Sequence, residues 1–231
     1  VAKYIGNTFY WILTMKIHDP KGSEKYYETV VEDYLWTSNW SEIDNAELYN
    51  RLTEVIIPSI EGNFPDVDGD NSYGCKSSYY HGHYNLFAFP LIELSKVYYR
   101  LQALSKELIK EPGHYGIRAW PNAFAQGSNI GWHHHWPEKY NAYHGFYCVN
   151  VEGPRVGSNT QYKMEGDDEI IKIRSRNGTC VFGRSGKDEH ISSLWQNEGY
   201  RITLAFDIVP YELLTHGVIS FHDFIPLVHI K

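Results

Sequence analysis

From residue 115 onward the spacing of apolar residues changes from a helical period to a period of two, and this constrains the fold more than any other feature. Just before the change, Leu91, Leu94, Val97, Tyr98, Leu101, Leu104 and Leu108 form one apolar stripe with Lys and Glu opposite, closed by Pro112-Gly113. That pattern predicts a helix over 90–110 lying on a sheet. After it, short runs follow at 115–124, 130–136, 144–152, 159–163, 169–174, 179–183 and 200–209, separated by Gly, Pro, Asn and Asp. Short strands with no helical pattern between them predict a β-sandwich, barrel or jelly roll.

The first half of the chain reads differently. Residues 4–17 read as a strand stopped by Asp19-Pro20-Lys21-Gly22. Residues 24–60 read as mixed and mainly helical, with Ser41 and Asp44 as capping residues before Leu48, Leu52, Val55 and Ile56. Residues 61–85 read as a polar loop; its acids at Asp66, Asp68 and Asp70 lack the Gly and Glu positions of an EF-hand. The expected architecture is mainly β with α, in one domain over 1–231. A support region of helices and strand spans 1–112, a β core 113–210 and an extension 211–231.

Composition excludes several function classes. The chain has 231 residues and a formal net charge of −7, which argues against nucleic acid gripped by a broad basic face. An aromatic content of 16% is too high for a disordered chain. Cys75, Cys148 and Cys180 are odd in number and widely spaced, with no CxxC, so a disulfide framework is not expected and a reducing, cytoplasmic setting is. The apolar run from Phe9 to Leu13 is far short of the ~20 residues that span a bilayer, so no membrane partner is expected.

The chemistry starts at Trp132-His133-His134-His135-Trp136-Pro137-Glu138. Side chains alternate along a strand, so His133 and His135 share a face and His134 takes the other. Two imidazoles so placed can bind one metal ion with a third ligand from elsewhere; imidazole suits iron, copper, zinc and nickel. A surface histidine cluster is the plainer alternative, and the flanking tryptophans favour a partly buried strand. Further on, Thr179–Gly183 reads as a short apolar strand, followed by a glycine-bearing loop over 184–189 and then His190.

The strand over 200–209 is two-faced. Ile202, Leu204, Phe206 and Ile208 take one side, and Arg201, Thr203, Ala205 and Asp207 take the other. Arg201 beside Thr203 makes an anion clamp: guanidinium binds a carboxylate through two hydrogen bonds and the hydroxyl adds a third. An ordinary outward-facing arginine is the alternative.

Taken together, His133-x-His135, a histidine 55 residues later at His190 and Arg201 eleven further on resemble the iron(II)- and 2-oxoglutarate-dependent oxygenase superfamily. The resemblance covers about residues 115–210. His144–Asn150 looks like the strand after the first ligands in prolyl-hydroxylase-like members, with Tyr147 at the position that reaches 2-oxoglutarate. Ala119-Trp120-Pro121-Asn122 looks like a Trp-x-Asn segment of a bacterial and phage branch, whose first motif is also His-x-His. The chain departs from the superfamily in having His135 where a carboxylate usually stands.

This resemblance implies a double-stranded β-helix, a cupin-like jelly roll, braced by N-terminal helices. It implies iron(II) on His133, His135 and His190, and 2-oxoglutarate held by Arg201, Thr203, Tyr147 and Asn122. It further implies dioxygen as oxidant, a small-molecule or peptide substrate that becomes hydroxylated, and release of succinate and carbon dioxide. Trp132, Trp136 and Trp195 are candidate walls of the site, or plain core.

Two other readings fit parts of the sequence. A cupin would bind metal through His133, His135, Glu138 and His190. A non-enzymatic β-sandwich would use its tyrosines and tryptophans as a binding face. His81 and His83 repeat the His-x-His spacing without a third ligand or anion clamp and read as non-metal.

Overall fold

Backbone amides in a β-rich chain are satisfied by strand pairing, and here they pair into two main sheets. The computed structural model describes residues 34–59, 85–155, 159–215 and 224–231, together with the backbone of short strands in the remaining chain. In chain order the strands are β1 (Lys3–Ile5), β2 (Thr8–Tyr10), β3 (Met15–His18), β4 (Thr29–Glu32), β5 (Leu35–Asn39), β6 (Cys75–Ser77) and β7 (Gly113–Phe124). They continue as β8 (Tyr143–Asn150), β9 (Asn159–Met164), β10 (Ile170–Arg174), β11 (Thr179–Arg184), β12 (Asp188–Ser192), β13 (Arg201–Pro210) and β14 (Ile225–Ile230).

The larger sheet has the order β14-β7-β13-β8-β11-β5-β4, with β6 also on β7; the smaller has the order β12-β9-β10-β3. Along the chain, β7 and β8 lie in the large sheet, β9 and β10 in the small one, and β11, β12 and β13 in the large, small and large sheets in turn. This is a double-stranded β-helix, as the resemblance implies. Among the described residues every strand pairing is antiparallel except that of β3 with β10. β4 and β5 extend the large sheet, and β3 the small one, beyond the 113–210 span.

The two faces of the large sheet bury different partners. One face packs on the helix Ile92–Leu108, whose Leu94, Val97, Leu101, Leu104 and Leu108 share a core with Ile117, Ile202, Leu204, Phe206 and Ile208. The stripe read from the sequence is therefore the sheet-facing one. The helix Asn45–Arg51 joins the same layer through Leu48, and Asp44 caps it by accepting from the amides of Ala46 and Glu47 at 3.1 and 3.0 Å. The other face meets the small sheet, where Phe146, Cys148 and Val181 pack on Tyr162, Ile171 and Ile173. The candidate site occupies this inter-sheet space.

Five expectations need correction. Residues 29–39 form the β4–β5 hairpin rather than helix. The segment 130–136 is not a regular strand, and only His133 bridges, to His190. At Ile130 the Ser192 amide still donates to the carbonyl at 3.2 Å, but the Ser192 hydroxyl takes the Ile130 amide at 2.9 Å, and on the other side Pro137 has no N–H to offer. Residues 188–192, read as loop end and histidine, are strand β12, whose inward positions Asp188, His190 and Ser192 are all polar. Finally, residues 4–17 hold the three short strands β1, β2 and β3 rather than one, and the extension 211–231 carries a short helix, Tyr211–Thr215, and β14, an edge strand that tolerates Pro226. The acidic loop at 66–70 and the pair His81 and His83 lie outside the described residues.

Candidate active site

The backbone bonds between His133 and His190 are mutual: each amide donates to the other's carbonyl, at 3.0 and 2.9 Å. Residues opposed in this way put their side chains on the same face of the sheet. The two rings lie 4.2 Å apart between centroids, and His135, two residues on, lies 5.3 Å from His190 and 5.7 Å from His133. One ring nitrogen from each histidine lies within 4.8 Å of the others, which is metal-ligand spacing. His134 is exposed and is not part of this group of three.

Each of the three rings already uses its Nδ1. His133 Nδ1 is 2.8 Å from the Gly131 carbonyl, His135 Nδ1 is 2.6 Å from Asp207 Oδ1, and His190 Nδ1 is 2.9 Å from Asp188 Oδ2. An acceptor at Nδ1 fixes that nitrogen as the N–H, so the ligating lone pair is on Nε2. Burial lowers the pKa of His133 to about 4 and that of His190 well below its ordinary value. Both rings are therefore neutral at neutral pH, the form that binds metal.

A second cluster lies behind the first. His144 Nε2 is 3.0 Å from Asp188 Oδ1, so Asp188 bridges His144 and His190. His144, Asp188 and His190 also approach metal-ligand spacing. Their polar atoms satisfy one another, however, and His144 and Asp188 do not line the cavity. Burial opposes the charge on Asp188, but the two imidazoles hold its carboxyl far below the usual range. Burial likewise opposes protonation of His144, and Asp188 overcomes it to raise the pKa. This cluster supports the first one.

The three histidines form one wall of a cavity of about 310 Å³ between the sheets. β13 and β7 supply an adjoining wall. Their register sets Arg201 opposite Phe124, Thr203 opposite Asn122, Ala205 opposite Trp120 and Asp207 opposite Arg118. Arg201, Thr203 and Asn122 are all buried and line the cavity. The Arg201 guanidinium stacks over Phe124 at 4.5 Å. Asn122 Oδ1 and Thr160 Oγ1 are buried on the same cavity with no hydrogen-bond partner among the described residues. Orphaned polar atoms facing a cavity are expected where an occupant supplies the partner.

Two glycines let the histidine segments pack closely. Gly186, between β11 and β12, has φ +92°, and a Cβ there would lie 2.3 Å from the Glu138 amide nitrogen. The turn that delivers β12 thus packs backbone to backbone on the end of the His133–His135 segment. Gly183 leaves room for His144, whose Nε2 would be 3.1 Å from a Cβ at that position.

Several residues do not stand where the sequence reading put them. Tyr147 is not in the cavity. β8 alternates, so His144, Phe146 and Cys148 face inward, and Tyr147 faces the helices. There it stacks on Trp40 at 5.3 Å and donates to Asn45 Oδ1 at 2.9 Å. Glu138, the additional ligand of the cupin reading, is turned to solvent and pairs with Lys187 at 3.0 Å. Of the three proposed tryptophan walls only Trp136 lines the cavity; Trp132 is exposed, and Trp195 packs on Phe124 away from it.

The sequence reading gave no role in the site to Asp188, Asp207, His144 or Trp120. Asp188 and Asp207 could have been found from strand alternation, because each shares a face with a residue already singled out.

No protein-family model and no curated protein sequence matches the chain. Solved structures do. A Pseudomonas putida prolyl-4-hydroxylase aligns over 77% of this chain and 92% of its own, with 11% identity and a TM-score of 0.55. A Trichoplax adhaerens prolyl hydroxylase, solved with a hypoxia-inducible-factor peptide fragment, aligns over 78% and 85%, with 10% identity and a TM-score of 0.56. The non-heme α-ketoglutarate-dependent epimerase SnoN of nogalamycin biosynthesis aligns over 77% of both chains, with 11% identity and a TM-score of 0.52. At such identities the likeness is one of fold: the chain has the double-stranded β-helix of these structures. Among the described residues no helix is long and apolar enough to cross a membrane.

Proposed function

We propose that the chain is an iron(II)- and 2-oxoglutarate-dependent oxygenase acting on a small-molecule or peptide substrate. The observation that carries this reading is one cavity lined both by three imidazoles with Nε2 unengaged and by the buried row Arg201, Thr203 and Asn122. The donor set fits the metal, because neutral imidazoles suit iron(II). The clamp fits a dicarboxylate, because a buried guanidinium beside a hydroxyl binds a carboxylate strongly. When bound, iron(II) and 2-oxoglutarate supply the oxidation of a substrate C–H bond by dioxygen, with succinate and carbon dioxide released.

The chain's own residues do the rest. His133, His135 and His190 hold the metal, with Nδ1 of each fixed by an acceptor. Arg201 and Thr203 orient the cosubstrate through its distal carboxylate. Trp120, Phe124, Trp136 and Phe146 exclude water from the cavity, which strengthens every charge interaction inside it. Asn122 Oδ1 and Thr160 Oγ1 are available to an occupant. In this reading residues 113–210 are the catalytic core, 1–112 the support and 211–231 an extension.

The test is metal content after anaerobic dialysis against iron(II), followed by calorimetric titration with 2-oxoglutarate. One iron per chain, lost in the His133→Ala/His190→Ala double variant, with cosubstrate binding that requires the metal, is the expected result. Iron retained by the double variant, or cosubstrate binding indifferent to metal, would refute the reading.

A further inference from the structure

Three imidazoles carry one negative charge fewer than two imidazoles and a carboxylate. The position that the resemblance gives to a carboxylate is occupied by His135, and His135 donates directly to one. Asp207 is 1% exposed, with Oδ1 2.6 Å from His135 Nδ1 and Oδ2 3.2 Å from Arg118 Nη2. Arg118 is itself held between the rings of Trp120 and Phe224, at 5.2 and 5.4 Å. Asp188 repeats the arrangement on His190, with its second oxygen on His144. His133 alone leans on a neutral carbonyl.

We propose that Asp207 and Asp188 are positioning residues of the metal centre, which fix the tautomer of His135 and His190 and supply, one hydrogen bond away from the metal, the negative charge that the ligand set lacks. The inference rests on the metal-binding part of the proposed function. Its physical basis is general: an imidazole that donates Nδ1–H to a carboxylate is held in one orientation and is more basic at Nε2. Geometry separates this role from an ordinary buried ion pair. An ion pair needs only charge proximity, whereas here each aspartate puts an oxygen on Nδ1 and leaves Nε2 to the metal. The fold also invests in both contacts. β12 places Asp188 two residues before His190 on one face, and β13 carries Asp207 on the same face as Arg201 and Thr203.

The test uses cobalt(II) as probe, because its visible ligand-field bands report the coordination sphere without turnover. Wild type, Asp207→Asn, Asp188→Asn and Asp207→Glu are titrated anaerobically, and the thermal midpoint of each metal-free protein is recorded. The asparagine variants keep an acceptor oxygen and lose the charge. Each is expected to bind cobalt(II) roughly 10- to 100-fold more weakly with shifted bands, and Asp207→Glu to recover part of the affinity. Folded asparagine variants that bind within threefold of wild type with unchanged bands would overturn the inference. If one of them does not fold, the other decides alone. A wild type that binds no cobalt(II) would instead overturn the metal centre itself.

Discussion

Replacement of Arg201 separates an anion-binding pocket from a core arginine. The side chain is 2% exposed, it stacks on Phe124, and it stands two residues from Thr203 on the cavity face of β13. A charge-assisted hydrogen bond contributes about 1.5–3 kcal/mol, and a guanidinium can offer two in parallel to one carboxylate. Arg201→Met keeps much of the volume and the Phe124 contact but removes both bonds. With partial replacement by water, the expected loss in 2-oxoglutarate binding is about 3 kcal/mol, or roughly 150-fold in Kd. Arg201→Lys keeps a charge without the fork and should lose about tenfold. The assay is anaerobic calorimetry of 2-oxoglutarate against manganese(II)-loaded protein, with circular dichroism to verify the fold. Folded Arg201→Met protein that binds within threefold of wild type would show that the guanidinium is structural and that the cosubstrate lies elsewhere.

Three further outcomes are expected. Gly186→Ala forces a left-handed φ on an L-residue and sets a methyl 2.3 Å from backbone, so it should cost about 2 kcal/mol or more, read as a thermal midpoint roughly 5 °C lower; an unchanged midpoint would contradict the close approach. Tyr147→Phe should lose about 1 kcal/mol with its bond to Asn45 yet leave 2-oxoglutarate affinity unchanged, and a weakened affinity by calorimetry would return Tyr147 to the site. Metal-free protein should lose stability as pH falls from 6.5 towards 4, because the unfolded chain protonates His133 in that window before the folded one does. His190, also lowered, acts in the same direction, whereas His144, raised by Asp188, acts mainly above pH 6.5, where its contribution is lost as pH rises; a midpoint that rises between pH 6.5 and 4 would contradict the neutral, buried state of His133 and His190.

The sequence carried the fold where burial and hydrophobicity coincide. The stripe from Leu94 to Leu108 and the two-faced strand at 201–210 were legible because their inward positions are apolar, or, on β13, because the polar positions stand out against an aliphatic face. β12 escaped for the opposite reason. Its buried alternation runs through Asp188, His190 and Ser192, so a pattern search for apolar residues sees a loop. β14 was hidden by Pro226, which an edge strand accommodates and a central one does not. Tyr147 was misplaced because the resemblance outweighed alternation. Its neighbours Phe146 and Cys148 take the inward face, and a residue between them in sequence must take the outward one. His133, His135 and His190 were legible as a set by type and spacing, yet what holds them was not. Asp207 reaches the His135 ring only through a pairing of segments 72 residues apart, and Asp188, two residues before His190, was hidden because β12 itself went unread.

The central claim is that one cavity holds both a metal and a dicarboxylate, and a single anaerobic titration tests it. Wild-type protein is titrated with iron(II) in the presence and absence of 2-oxoglutarate, and the visible spectrum is followed for the weak charge-transfer band of a chelated 2-oxo acid. The account predicts a band that appears only when iron(II) and 2-oxoglutarate are present together, saturating at one equivalent of each. Iron bound with no cosubstrate-dependent band would contradict it and leave a three-histidine metal site of another chemistry.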